Sequence, residues 1–317
     1  MRRFFASILC AAAVAAHGFD LQGHRGTRGL MPENTLAAFE RALEIGVTTL
    51  ELDIAITADG VPVISHDPAL NPALTRDRSG QWLKATGPLI RSLTLEQLQA
   101  YDIGRVDPAS AYGRQFPLQQ ARDGERVPTL AALFKLVRER GADAVRFAIE
   151  TKVHPDRPNE TAAPKEFVDT VLAVIRDAGM VGRVRIISFD WRTLQLVQKL
   201  EPGIETVCIT VESDTANNVR HRIMAGGLSW RDYPSTAHMV KASGGAVWSP
   251  NFASLDAVKV KSAQQLGLKV IPWTVNEPAD MDRLIGWSVD GIVTDYPDRA
   301  RDAMHRARMP LPTSRKR

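Results

Sequence analysis

From residue 19 onward, short β-branched runs alternate with amphipathic stretches of helical period, the pattern of a parallel sheet covered by helices. The runs fall near residues 19–24, 47–53, 61–66, 144–151, 183–189, 205–210, 246–248, 269–275 and 291–294. That is one more than an eight-stranded barrel requires, and 246–248 is the weakest. Helix starts are legible between them. Pro32-Glu33-Asn34-Thr35 opens a helix running to Ile45 before Gly46, and Pro128-Thr129 opens another that ends near Gly141. No repeat of solenoid period is visible.

Residues 68–127 interrupt the alternation with Gly, Pro and charged residues, and 94–101 is their one clear helical piece. This reads as an insertion after the third strand that caps one face of the barrel. A second irregular stretch, 213–236, includes Trp230. Neither has the composition of a separate linker-bounded domain.

The ends of the chain have their own character. Arg2 and Arg3 precede an apolar run over 4–16 that closes in small residues, which reads as a secretory signal over residues 1–17 with cleavage between Ala15 and Phe19. The run is too short for a permanent span, so no stable membrane insertion is expected after cleavage. Leu9 before Cys10 argues against a lipoprotein leader. Export to a periplasm or the medium follows, with the barrel over 18–305. Of the two cysteines, Cys208 alone would remain, and the mature monomer can form no internal disulfide. The formal charge is +4, but seven of the cationic residues lie in the signal and in a basic tail over 306–317, leaving the body at −3. A nucleic-acid partner loses its support. The tail, with Pro310 and Pro312, reads as disordered. The oligomeric state stays open.

Chemistry gathers at predicted strand ends, where the polar residues of such a barrel converge on one mouth. His24-Arg25 ends the first strand, Glu51 and Asp53 lie two apart on the second, His66-Asp67 ends the third and Glu150-x-Lys152 the fourth. Residues two apart on a strand share a face, so Glu51 and Asp53 present two carboxylates in one direction. With Glu150 they offer three oxygen donors, a set suited to one hard divalent cation such as Mg²⁺ or Ca²⁺. Arg25 and Lys152 add fixed positive charge for an anionic substrate. Each residue alone has a bland reading, as a solvated edge, a surface histidine or a salt bridge. The coincidence of all of them at strand ends favours a site.

Together, His24-Arg25-Gly26, Pro32-Glu33-Asn34-Thr35, Ala38-Phe39, Gly46, Glu51-Leu52-Asp53, Thr57-x-Asp59-Gly60 and His66-Asp67 resemble the glycerophosphodiester phosphodiesterase family, in its exported bacterial type. Glu150-Thr151-Lys152, Ser188-Phe189, Trp273-Thr274-Val275-Asn276 and the run from Asp290 to Pro297 continue the likeness, over about 19–299. The resemblance implies a TIM (β/α)8 barrel, a divalent metal, and cleavage of glycerophosphodiesters to glycerol 3-phosphate and an alcohol. It implies His24 and His66 as catalytic pair, Glu51, Asp53 and Glu150 as metal ligands, and Arg25 and Lys152 as phosphate contacts. Phe189 and Trp273 end later strands and would wall the alcohol or glycerol side, with a quaternary ammonium group as a cation–π guest, against the alternative that they only pack. His154, His221, His238 and His305 read as structural or surface residues. Two other functions compete: phospholipase D-type hydrolysis of lysophospholipids or sphingomyelin, and a non-catalytic phosphate-ester binding protein. The polar insertion leans against the first, and retention of both histidines and all three carboxylates against the second.

Overall fold

A computed structural model describes residues 18–315. The segment read as a signal lies outside the described residues. Nine strands form one sheet: β1 (Asp20–Gly23), β2 (Thr49–Ile56), β3 (Pro62–Ile64), β4 (Arg146–Thr151), β5 (Val184–Ser188), β6 (Glu205–Thr210), β7 (Val247–Pro250), β8 (Lys269–Val270) and β9 (Gly291–Thr294). Eight are parallel, in the order β8-β7-β6-β5-β4-β2-β1-β9. Backbone bonds from Asp290 N to Val270 O and from Val293 N to Pro272 O, both 2.9 Å, draw the ends of this sheet together into a nearly closed barrel. The helices are α1 (Leu36–Ile45), α2 (Leu95–Leu98), α3 (Leu130–Glu139), α4 (Pro164–Asp177), α5 (Trp191–Leu200), α6 (Thr236–Ala242), α7 (Ala257–Gln265), α8 (Pro278–Gly286) and α9 (Pro297–Arg306).

Local chemistry explains the boundaries. Thr35 accepts from Ala38 N at the start of α1, Thr129 does the same for Ala132 N at α3, and Pro occupies the first turn of α4, α8 and α9. Gly46 ends α1 at φ 95°, a conformation that would strain a side chain. The large core packs helix faces onto the outer surface of the barrel, with Phe39, Phe134, Phe147, Phe167 and Trp191 fully buried. A smaller cluster of Ala148, Ile187, Val207, Ile209, Val247, Ile271 and Val293 fills the barrel itself.

One expectation is corrected. Residues 246–248, the weakest candidate, belong to the parallel strand β7, whereas 61–66 supplies no barrel strand. Instead β3 pairs antiparallel with β2, Ile54 opposite Ile64 and Ile56 opposite Pro62. The turn at Asp59-Gly60 is the reason: a two-strand hairpin can use so short a connection, and a parallel crossover cannot. In the C-terminal segment, Arg315 N donates to Leu43 O and Arg301 Nη1 to Pro312 O. The helical piece of the insertion is short, α2 with Thr94 as its capping-box residue. Among the described residues no helix is long and apolar enough to cross a membrane.

Candidate active site

At the barrel mouth Glu51 and Asp53 point inward from β2, and Glu150 sits beside Asp53 in register on β4. Carboxylate oxygens of the three lie within 4.8 Å of one another, all buried. Lys152, just past β4, donates to Glu150 Oε1 at 2.8 Å and stands 3.6 Å from Asp53 Oδ1. Burial and the neighbouring Asp53 and Glu150 carboxylates push the Glu51 carboxyl well above its usual range. Asp53 goes the other way, because Arg25 and Lys152 outweigh its burial. Burial also raises Glu150, against the pull of Lys152. Like charges this close resist common ionisation, and a bound cation removes that resistance. The donors are all carboxylate oxygens, so a hard divalent ion fits.

Arg25 follows β1 in the left-handed region, at φ 49°, and Asn34 shares it at φ 57°. Such conformations cost about 1–3 kcal/mol each and persist only where the surroundings fix them. Here Arg25 N donates to Glu51 Oε2 at 2.8 Å, and Asn34 N to Arg25 O at 3.0 Å. Gly26 must be glycine between them: at φ 83°, its Cβ would lie 2.7 Å from the Ala38 backbone. The Arg25 guanidinium bonds Glu33 Oε1 at 2.6 Å, and its Nε faces Asp53 Oδ2 at 3.3 Å. Asn34 Nδ2 donates to the same oxygen, Asp53 Oδ2, at 3.0 Å. Asn34 Oδ1 and Arg25 Nε are two of the three buried side-chain polar atoms without a hydrogen-bond partner among the described residues. Their concentration here marks a place prepared for a ligand.

The two histidines arrive by different routes. His24 stands one residue beyond β1, its Nδ1 bonded to Asp295 Oδ1 at 2.6 Å and its Nε2 3.9 Å from Glu51. Burial, with the nearby Arg28 charge, pushes its pKa down to about 4 in spite of Asp295. The ring is therefore neutral at neutral pH, and the carboxylate fixes the proton on Nδ1. His66 descends towards the mouth on the β3 arm, with Ser65 N bonded to Asp53 O at 2.9 Å. It is 34% exposed, and its Nδ1 meets Asp67 Oδ1 at 2.8 Å while Asn71 steadies that carboxylate.

All the sequence-predicted residues converge. His24, Arg25, Glu51, His66, Glu150, Lys152, Phe189 and Trp273 line one cavity of about 290 Å³, and Asp53 supports its floor. Phe189 and Trp273 pack edge to face, 5.3 Å between centroids. Sequence reasoning missed Arg28, Asp295 and Tyr112. Arg28 also lines the cavity and grips Asp295 through two bonds of 2.8 and 2.9 Å. Tyr112, from the insertion, donates to Glu33 and so reaches the Arg25 network. Asp295 does end a strand, which is a usable signal, but nothing local singles out Arg28 or Tyr112.

Comparison with known proteins agrees with this architecture. The profile of the glycerophosphoryl diester phosphodiesterase family matches residues 24–299. A glycerophosphodiester phosphodiesterase of Caldanaerobacter subterraneus is 28% identical over 279 residues, 87% of this chain and 93% of its own length. A crystal structure from Silicibacter pomeroyi, of a protein provisionally named glycerophosphoryl diester phosphodiesterase, superposes with a TM-score of 0.84 at 36% identity, covering 93% of this chain and 96% of that one. An Oleispira antarctica phosphodiesterase, solved with the product sn-glycerol-3-phosphate, shares the fold at 21% identity and a TM-score of 0.66, covering 91% and 97% of the two chains. The chain belongs to the glycerophosphoryl diester phosphodiesterase family, a family of phosphoric diester hydrolases.

Proposed function

We propose that the protein hydrolyses glycerophosphodiesters to glycerol 3-phosphate and an alcohol, with one divalent cation, Mg²⁺ or Ca²⁺, held by Glu51, Asp53 and Glu150. The observation that carries this reading is the meeting of that carboxylate triad with His24 and His66 around one cavity. The product complex of the Oleispira antarctica relative supports the choice of substrate.

A phosphodiester repels nucleophiles through its negative charge, so catalysis needs positive charge matched to the transition state. Arg25, Arg28 and Lys152 supply part of it from the cavity wall. When bound, the cation supplies further Lewis-acid charge at the phosphoryl group. His24 faces this cavity with Nε2 unprotonated and is the base for the attacking hydroxyl, whether of water or of the substrate's own glycerol. His66 lines both this cavity and the larger groove beside it, and protonates the departing alkoxide. Asp295 and Asp67 hold the two rings by Nδ1, leaving Nε2 for proton transfer. Phe189 and Trp273, packed edge to face, form part of the wall of the same cavity. The N-terminal residues Arg2 and Arg3 and the apolar run after them support export.

The test is release of glycerol 3-phosphate from glycerophosphocholine by metal-stripped protein, with Mg²⁺ or Ca²⁺ restored and lysophosphatidylcholine assayed in parallel. Metal-restored turnover of the soluble diester is expected. Preference for the lysolipid, or metal-independent turnover, would overturn the reading.

A further inference from the structure

The insertion is bonded to the catalytic machinery through its segment 107–120, which meets the connection between β1 and α1 that carries His24, Arg25 and Arg28. Gln119 Nε2 donates to Arg28 O and Gln120 N to Leu30 O, both at 2.8 Å. Phe116 sets its ring 4.8 Å from the Arg28 guanidinium. Tyr112 reaches furthest. Its hydroxyl donates to Glu33 Oε2, whose other oxygen holds Arg25 Nη1 at 2.6 Å, and Arg28 Nη1 stands 3.5 Å from the same hydroxyl. Arg25 and Arg28 line the catalytic cavity, whereas Glu33 and Tyr112 stand behind them.

The segment is built to hold that hydroxyl. Asp107 N donates to Ala73 O at 2.8 Å, Ser110 Oγ to Asp107 O at 2.7 Å and Gly113 N to Ser110 Oγ at 2.8 Å, which folds the chain tightly around Tyr112. Gly113 is required there, since a Cβ would lie 2.0 Å from Asp107 O. The Tyr112 ring meets Phe116 edge to face, with 5.3 Å between centroids. Burial and the Glu33 carboxylate raise the phenol above its usual range, so the hydroxyl keeps the proton it donates.

We propose that Tyr112 is a positioning residue for the two arginines of the cavity wall, through which the insertion sets the geometry of the mouth. This rests on the catalytic reading above, in which Arg25 and Arg28 neutralise the phosphoryl group. Glu33, pinned at both oxygens, fixes one end of the Arg25 guanidinium, and a fork fixed before substrate arrives needs no reorganisation in the transition state. Without the hydroxyl, Glu33 Oε2 loses its donor. The carboxylate then turns towards Arg25 or Arg28 and draws that cation off the cavity wall.

The experiment measures kcat and KM of the metal-loaded enzyme for glycerophosphocholine and glycerophosphoethanolamine in Tyr112→Phe, Glu33→Gln and the double variant, with a melting curve for each. Tyr112→Phe keeps the ring and its packing. Because the phosphoryl charge grows towards the transition state, it should lower kcat by about tenfold for both diesters alike, with KM moved by less than about threefold and Tm little changed. Since the hydroxyl acts through Glu33, the double variant should match Glu33→Gln alone within about twofold. Should Glu33→Gln not fold, Arg25→Lys takes its place in the same cycle. A Tyr112→Phe enzyme with wild-type kcat, a loss seen in Tm and not in kcat, or losses that multiply in the double variant would overturn the role of Tyr112, while wild-type turnover leaves the catalytic reading intact. No turnover of either diester by the wild type removes both.

Discussion

His24 and Asp295 are separated by 271 positions and joined by a 2.6 Å contact between Nδ1 and Oδ1. The contact exists because β1 and β9 are neighbours, with Gly23 opposite Thr294, so the residues after each strand emerge side by side at the mouth. Arg28 and Asn276 hold the carboxylate from two further directions, at 2.8–2.9 and 2.7 Å. Asp295→Asn should therefore spare the fold and lower kcat by about 10²–10⁴, the usual worth of a positioned acid or base, with a smaller change in KM. Steady-state kinetics with a matched melting curve checks it.

His24→Ala and His66→Ala should each fold normally and lose activity by about 10²–10⁴. Near wild-type turnover in either variant would remove that residue from the acid-base pair. The pH profile of kcat/KM carries the same information. Burial and Arg28 push His24 down to about 4, so its working neutral form persists as pH falls, and the acidic limb should lie below the ordinary histidine range.

Cation binding should be visible without any substrate. Adding Mg²⁺ or Ca²⁺ at a hundredfold excess over Kd should stabilise the fold by about 2.7 kcal/mol, read as a rise in Tm. Asp53→Asn should abolish most of that rise. A mutant with the full metal-dependent shift would show that the ion sits elsewhere.

The barrel floor is a separate test of stability. Asp20 accepts from Arg185 Nη1 at 2.6 Å, from Thr49 Oγ1 at 2.6 Å and from Thr48 Oγ1 at 2.7 Å, with Arg146 3.2 Å away. Burial opposes its charge, but Arg146, Arg185 and the two hydroxyls hold the carboxyl below its usual range. Asp20→Ala removes one of the two carboxylates that pair Arg185, leaving Glu205 at 2.8 Å, and should cost about 1–3 kcal/mol. A carboxyl lowered in the folded state stabilises above the unfolded pKa of about 3.9 and loses that contribution as pH falls through the folded value. Urea denaturation across acidic pH should show the wild type losing this increment and the mutant lacking it throughout.

Cys208 is fully buried, and burial pushes its thiol up to about 12. It should resist alkylation in the native protein at mildly alkaline pH and react once denatured, as peptide mapping would show. Labelling of the native protein would mean that β6 opens locally.

Much of the site was legible in the sequence. Glu51 and Asp53 share a face because strand side chains alternate, and Glu150 follows from the rule that polar residues at strand ends meet at the mouth. The family motifs placed His24 and His66. The hairpin at 57–66 was misread because three apolar residues have the same pattern in an antiparallel arm as in a barrel strand. The weak run at 246–248 was undervalued because its β-strand rests on hydrogen bonds to β6 on one side and β8 on the other. Arg28 and Tyr112 carried no local signal, since their roles depend on Asp295 and Glu33, residues far along the chain.

The sequence by itself determined the α/β alternation, the helix caps, the carboxylates available for a cation and the family. These depend on short-range periodicity, side-chain chemistry and spacing. Only the tertiary structure decided that His66 reaches the mouth on an antiparallel arm, that Asp295 orients His24, and that the insertion faces the β4–α4 connection across a groove. Those are distances between residues remote in the chain, and they are fixed when the barrel closes and brings β9 back to β1.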